Sequence, residues 1–365
     1  MIRYCLRLIP LLLLAWLLAL PVRAAPIDAR LQRGVNFQLA AVTAHESEGA
    51  GAFAAPAPSD LDIIKSLGFG HLRVRVNPQQ LMGGGGRLIK AEADHLLDVI
   101  KRIEGAGLAT ILTMQPPPHY KRALTPGSSA VKDFAAFWKA LAGRLGAVGP
   151  EWLAFEPLNE PEHESAGDWF DVQAALVGAV RTGAPRHRII AAGHRFSSIP
   201  ELVETRKLPY DNVMYSFHFY DPHNFTHQGA MWGYPMWEQF TGWPYPSSPS
   251  GIQPALAEQT PAARPHLEHY GSQNWNRDKL AAELDRARDW ARRNKVDLIC
   301  TEFGVYRDGG VPEADRRRWL RDVRELLEAR DMGWTLWNYA GNFGLVSGGL
   351  NERIIDIEAV SALGL

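Results

Sequence analysis

The chain has 365 residues, and 39 Lys and Arg stand against 40 Asp and Glu for a formal net charge of -1. That balance argues against a protein built to grip nucleic acid or an acidic membrane surface. An apolar fraction of 46% excludes a disordered chain and suits a globular one.

The first 24 residues read as a targeting segment. Arg3 and Arg7 give a positive start, an apolar run extends from Leu8 to Leu20, and Val22-Arg23-Ala24 offers a small-residue cleavage site. The apolar run is about 13 residues, short of the roughly 20 that span a bilayer. Cleavage is therefore expected rather than an uncleaved anchor. The mature chain, residues 25–365, is expected to be exported, periplasmic or secreted, with no stable membrane insertion. Cys5 leaves with the segment, so Cys300 remains alone and an intramolecular disulfide is excluded. Cys300 sits in an apolar run and reads as a small buried hydrophobe.

Arg33-Gly34-Val35-Asn36-Phe37 begins the first strand. Residues 38–58 read as a loop, whose His45, Glu46 and Glu48 are expected to be solvated rather than ligands. Ser59-Asp60-Leu61-Asp62 resembles a capping box with Asp in place of Glu. A short helix to Leu67 follows. His71 to Asn77 alternates strictly at its centre and predicts a second strand, with Arg73 and Arg75 on one face. The run Gly83 to Gly86 lacks the spacing and the Lys of a phosphate loop and reads as a flexible loop. Helix two is predicted over 90–104, strand three over 109–114 and helix three over 130–145. Phe134, Phe137 and Trp138 form a stripe read as core.

Trp152-Leu153-Ala154 leads into Phe155-Glu156-Pro157-Leu158-Asn159-Glu160-Pro161. Proline lacks an N–H donor, so Pro157 and Pro161 end regular pairing. Asn159 and Glu160 then stand where the fourth strand opens into a loop. Helix four is predicted over 168–181 and strand five over 188–193, with His194 and Arg195 just beyond it as candidate contacts. Strand six covers 213–220 and carries His218 and Tyr220 on one face. His218, His223 and His227 do not have the spacing of a metal cluster. From Asp221 to about Asn274 an insertion follows, rich in aromatics and therefore expected to be ordered. Helix six spans 277–294. Leu298-Ile299-Cys300-Thr301-Glu302-Phe303-Gly304 is a seventh strand running into a carboxylate. Helix seven covers 313–330 and strand eight 333–339. Eight strands with helices between most of them, in one domain of this length, fit an α/β chain folded as a (β/α)8 TIM barrel.

Glu160 and Glu302 thus lie at the C-terminal ends of two strands. Each alone reads most simply as a solvated loop carboxylate. Together they have the disposition a double displacement at a sugar carbon needs, one donating a proton and the other attacking, roughly 5–5.5 Å apart.

Asn159-Glu160-Pro161 and Thr301-Glu302-Phe303-Gly304 resemble the acid/base and nucleophile signatures of glycoside hydrolase family 5, the cellulase family, over nearly all of the mature chain. The resemblance implies a retaining, endo-acting β-glycoside hydrolase with Glu302 as nucleophile and Glu160 as acid/base. It places Arg73, rather than Arg75, under the nucleophile. It has Asn159 bond a sugar 2-hydroxyl, Tyr220 bond the nucleophile, His218 border the same subsite and Trp337 floor it. Many members have a His just past strand three. Here Gln115 stands there, followed by three prolines and His119, so Gln115 is expected to contact a sugar hydroxyl, with His119 as the alternative. Glu160 is expected to hold its proton through burial and the neighbouring carboxylate. The 12 Trp suit sugar stacking, with Trp237 or Trp243 of the insertion as the platform. No metal or organic cofactor is needed, and a monomer acting on a polysaccharide is expected. A β-mannanase, a transglycosylase or an exopolysaccharide-processing enzyme remains open. A carbohydrate-binding barrel without catalysis is the remote alternative, and a metal-dependent barrel would need a His-x-His on an early strand that this chain lacks.

Overall fold

The computed structural model describes residues 29–39, 54–350 and 352–365. The targeting segment, Cys5, His45, Glu46 and Glu48 lie outside the described residues. Eight parallel strands close into a barrel. They are β1 (Arg33–Gln38), β2 (His71–Val76), β3 (Ala109–Met114), β4 (Leu153–Glu156), β5 (Arg188–Ala192), β6 (Val213–Phe219), β7 (Leu298–Phe303) and β8 (Gly333–Leu336). Each is followed by a helix: α1 (Pro58–Ser66), α2 (Lys90–Gly105), α3 (Ser129–Leu145), α4 (Ala166–Gly183), α5 (Ile199–Glu204), α6 (Arg277–Asn294), α7 (Glu313–Glu328) and α8 (Ile357–Ala362). The predicted (β/α)8 barrel is the observed fold. The two short helices α5 and α8 are the elements with too few turns to show a period.

Alternation sorts each strand between two cores. In β2, Leu72, Val74 and Val76 point outward into the layer shared with the helices. His71, Arg73 and Arg75 point inward. Inside the barrel, Leu31, Ile111, Ala154, Ile190, Met214 and Ile299 form a separate apolar plug toward the N-terminal ends of the strands. Above that plug the inward side chains turn polar, and the site is built there. β1 runs beside β8, with Gly34 opposite Thr335. A Cβ on Gly34 would meet the His71 ring at 2.0 Å, so only glycine lets that ring lie across β1.

Four of the eight helices, α3, α4, α6 and α8, start on a side-chain cap. Ser128 accepts from Val131 N–H, Ser165 from Asp168, Asn276 from Lys279 and Asp356 from Ala359. The capping box expected at residues 59–62 is not formed. Ala57 occupies the N-cap of α1 without a side-chain bond. Asp60 instead turns inward, where it accepts from Tyr339 Oη at 2.7 Å and from Arg353 Nε and Nη2 at 2.9 Å each. The partly exposed Arg353 guanidinium and the Tyr339 hydroxyl together hold that carboxylate. The glycine run is not loose either. Met82–Gly83 pairs with Arg87–Leu88 around it, and a Cβ on Gly86 would strike the Asp133 carbonyl of α3 at 2.0 Å.

The stretch after β6 is ordered, as its aromatics suggest, and more regular than its sequence period indicates. It holds short helices at His223–Thr226, Gln253–Glu258 and Arg264–Ser272. Trp243 is fully buried, stacks on Phe240 at 4.1 Å and donates to Gln259. That corrects one of the two candidate sugar platforms, because Trp243 is core.

Candidate active site

Arg73 stands at the centre of the upper barrel and is completely buried. A guanidinium has five donors in a rigid fork, and every one of its nitrogens is used here. Nε donates to Glu156 Oε2 at 2.6 Å and Nη2 to Glu156 Oε1 at 3.0 Å, a bidentate pair. Nη2 also donates to Asn159 Oδ1 at 2.6 Å. Nη1 donates to Asn36 Oδ1 at 2.8 Å and to Glu302 Oε1 at 2.7 Å. Burial opposes the charge, but Glu156 and Glu302 outweigh it and push the Arg73 pKa higher still.

Glu302 reaches this position through an irregularity. On the face shared with β6, Ile299 lies opposite Ser216, but Glu302 rather than Thr301 lies opposite His218. The register against β8 slips at the same place. Ile299 faces the inner plug, so strict alternation would send Glu302 outward. One extra residue, a bulge at Thr301, turns it in. Asn36 holds the bulge, donating from Nδ2 to the Thr301 carbonyl at 2.9 Å and to the Leu336 carbonyl at 3.2 Å.

Both oxygens of Glu302 are engaged. Arg73 takes Oε1, and Tyr220 donates its hydroxyl to Oε2 at 2.9 Å. His218 Nδ1 lies 3.7 Å from Oε2. Burial raises the pKa of this carboxyl, but His218, Arg73 and Arg75 together overturn that and hold it at about 2. Burial and the two carboxylates push the Tyr220 hydroxyl well above its usual value, so it stays a donor.

Glu160 follows β4 after Pro157, with a backbone φ of 46°, a left-handed value unusual for a non-glycine residue and of the kind found at functional sites. Three contacts hold this turn. Trp138 Nε1 donates to the Pro157 carbonyl at 3.1 Å, Asn159 N–H to the Met114 carbonyl at 2.9 Å, and Lys121 Nζ to the Glu160 carbonyl at 2.9 Å. The Glu160 carboxylate lies 3.0 Å from His218 Nδ1 through Oε1. Burial, expected to hold a proton on Glu160, falls instead on Glu302: the two side chains are 29% and 4% exposed. One side-chain oxygen of Glu160 lies within 4.8 Å of one of Glu302, with a His218 nitrogen between them. That matches a retaining pair, since inverting pairs stand roughly 6.5–9.5 Å apart. The same three groups have the makings of a cation site, but the Arg73 guanidinium already occupies Glu302 and repels a second cation.

Asn159 is oriented by Arg73. Its amide oxygen accepts from Nη2, so its NH2 faces Gln115 Oε1, to which it donates, and the Glu160 carboxylate at 3.5 Å. Gln115 is therefore in the site, whereas His119 is exposed on the short helix Pro118–Ala123. Arg75 also faces the barrel and lays its guanidinium over the Trp337 ring at 4.0 Å. The expected residues Arg73, Asn159, Glu160, His218, Tyr220, Glu302, Trp337 and Gln115 converge on one cleft at the C-terminal mouth. His194 and Arg195 do not join it: His194 is buried 3.6 Å from Glu204, and Arg195 pairs with Glu164. His223 and His227 stack on each other at 5.4 Å and on Trp237, a packing arrangement. Burial, and then His223, lowers the His227 pKa to about 3, so this ring is neutral.

The Cellulase family model, glycosyl hydrolase family 5, matches residues 31–343. This chain belongs to glycosyl hydrolase family 5. Among curated relatives, Endoglucanase C of Acetivibrio thermocellus is 27% identical over 290 residues, covering 77% of this chain and 82% of that protein. Endoglucanase 3 of Fibrobacter succinogenes is 28% identical over 229 residues, covering 60% of this chain and 34% of that one. The fold is shared with endoglucanase Cel5A of Thermotoga maritima, at a TM-score of 0.74 and 22% identity over 92% of this chain and 98% of that one. It is shared also with the cellulose synthase subunit Z of Clostridioides difficile, at 0.72 and 22% over 91% and 99%.

Within this family-5 barrel, three residues of the site escape a reading of the sequence. Glu156 carries the bidentate hold on Arg73, and a charged residue inside an apolar strand was its signal. Asn36 supports both Arg73 and the bulge. Lys121, buried in a helix of only six residues, had no signal at all.

Proposed function

We propose that the protein is a retaining, endo-acting β-glycoside hydrolase of the cellulase type, cleaving a polysaccharide by double displacement. The observation that carries this is the pair of carboxylates within 4.8 Å, one buried against Arg73 and the other open to the cleft. Glu302, kept ionised, attacks the anomeric carbon. Glu160, at the open side, protonates the departing oxygen and then draws a proton from water in the second step. Asn159 offers its NH2 to the sugar 2-hydroxyl, a bond that strengthens as the ring approaches an oxocarbenium ion. Trp337, pinned under Arg75, supplies an apolar floor. The steps assigned to these residues use proton transfer and a carboxylate nucleophile alone.

The curated relatives are named endoglucanases and a structural neighbour is titled an endo-beta-1,4-glucanase, which together support a β-1,4-glucan as substrate. The Thermotoga maritima enzyme has been crystallised with mannotriose as well as cellobiose, so mannan belongs in any panel. The basic and then apolar start of the chain supports export to the periplasm or beyond, and the enzyme is proposed to act as a monomer. The test is a panel of soluble β-linked glucans and mannans, read by reducing ends and by viscosity. A fast viscosity drop and a β-anomer as first product, seen by NMR, are expected. A first product of α configuration overturns the retaining mechanism, and release of single sugars from chain ends overturns the endo reading.

A further inference from the structure

Resting on that reading, we propose that Arg75 is a specificity residue that grips a carboxylate on the glycan. The enzyme then prefers an acidic sugar to a neutral one, at the position floored by Trp337 or the one beside it. Alternation in β2 sends Arg75 inward with Arg73, two residues nearer the mouth of the barrel. Its guanidinium lies over the Trp337 ring at 4.0 Å. Burial lowers its pKa, while the charges of Glu302 and Glu160 oppose that, so it stands close to the reacting pair.

The two arginines differ in what they hold. Arg73 uses every nitrogen on protein acceptors. Arg75 donates once, from Nη2 to Oε1 of the exposed Gln38 at 3.4 Å, long for an N–H bond. Its Nε is buried and has no protein partner. Among the described residues, the Glu156 and Glu302 carboxylates pair with Arg73, and Arg75 has no ion pair. Lys121, the other buried cation at the cleft, spends itself on the Glu160 carbonyl and lies 3.8 Å from Glu162. Contact with the Trp337 ring engages the charge of Arg75 rather than its N–H donors. A buried donor without an acceptor is costly, and more so on a cation. A ligand in the cleft would supply the acceptor.

The fork of a guanidinium matches a carboxylate, which takes two parallel N–H bonds. A sugar hydroxyl needs no fixed charge. Keeping Glu302 ionised does not require Arg75 in contact, because both Glu302 oxygens already have donors in Arg73 and Tyr220. An acidic sugar entering the cleft meets Glu302 and Glu160, whose like charges repel it. Arg75 offsets that repulsion at the point of entry. The same fork fits the C6 carboxylate of a uronic acid and the free carboxylate of an O-acyl substituent such as succinyl.

The test uses soluble oligosaccharides of β-linked glucans and mannans in three forms of one length: neutral, partly oxidised at C6 to the uronic acid, and partly O-succinylated. For the wild type, kcat/KM is expected to be about tenfold higher on one acidic form than on the neutral one, and that form identifies the source of the carboxylate. In Arg75→Gln the ratio of acidic to neutral rates should fall about 10- to 100-fold. Arg75→Lys, which keeps the charge and loses the fork, should lie between. Mass spectrometry of wild-type products should find the acidic sugar at the new reducing end or next to it. That map needs no variant, so it decides the matter even where Arg75→Gln does not fold. No preference for either acidic form, a random product map, or an equal loss on all three forms in Arg75→Gln overturns the proposal and leaves the hydrolase reading intact. A wild type that hydrolyses none of the three overturns the hydrolase reading itself, and the preference with it.

Discussion

Two glutamates in one barrel mouth have opposite surroundings. Glu302 sits against a guanidinium and a phenol and Glu160 faces the open cleft, so the two are fitted for different tasks. Removing either should cost orders of magnitude in kcat while the circular dichroism spectrum stays that of the wild type. Azide added to Glu302→Ala should restore turnover with inverted product, because a small anion then fills the vacated face. For Glu160→Ala a loss of about 10² to 10⁴ is expected on natural substrates, with much less on aryl glycosides whose leaving group needs no proton. Full activity of either variant removes the assignment.

The pKa of Glu302 carries a pH prediction of its own. Its folded value of about 2 lies below the unfolded value of roughly 4.3. Its ionised form therefore stabilises the fold fully above that unfolded value, and the contribution is lost as pH falls through about 2. The acid limb of the kcat/KM profile should lie equally low. Tyr220→Phe removes the donor 2.9 Å from Oε2 and should move that limb to higher pH. An unmoved limb would mean that another group sets it.

At the scale of elements, the site depends on two departures from regular geometry. One is the bulge in β7, which turns Glu302 into the barrel. The other is the left-handed turn after β4, which sets Glu160 above it. Lys121 reaches that turn from the short helix after β3 and holds the Glu160 carbonyl at 2.9 Å. Lys121→Met keeps most of the side-chain volume and removes the bond. It should lower kcat by about 10- to 100-fold with little change in KM, since a displacement on the order of 1 Å is enough for such a loss. A KM effect without a kcat effect would place Lys121 in substrate binding instead.

Across the whole molecule, the first and last strands of the barrel are tied where it closes. β1 pairs with β8, Arg33 donates to the Gly364 carbonyl at 3.0 Å, and Arg353 grips the buried Asp60 of α1. Arg353→Ala leaves that carboxylate with Tyr339 alone and should destabilise the protein by about 3 kcal/mol, read by urea unfolding. Asp60→Asn combined with Arg353→Met should recover part of the loss, since no unpaired charge is then buried. A single variant as stable as the wild type would show the tie to be incidental.

Period and punctuation along the chain already determined the eight strands, the long helices and the two glutamates at strand ends, because alternation, apolar stripes and proline stops are local properties. The short helices α5 and α8 left no such mark. Local pattern also misread residues 59–62 as a capping box, because Asp60 meets its partner Arg353 293 residues away, and it left Trp243 a candidate platform, because burial of an indole is not written in its neighbours. The tertiary structure alone decided that Glu156, Asn36 and Lys121 belong to the site, and that an extra residue at Thr301 reverses the face of Glu302. A bulge is defined against neighbouring strands, and a buried charge by whatever surrounds it. Both exist only once the barrel is closed.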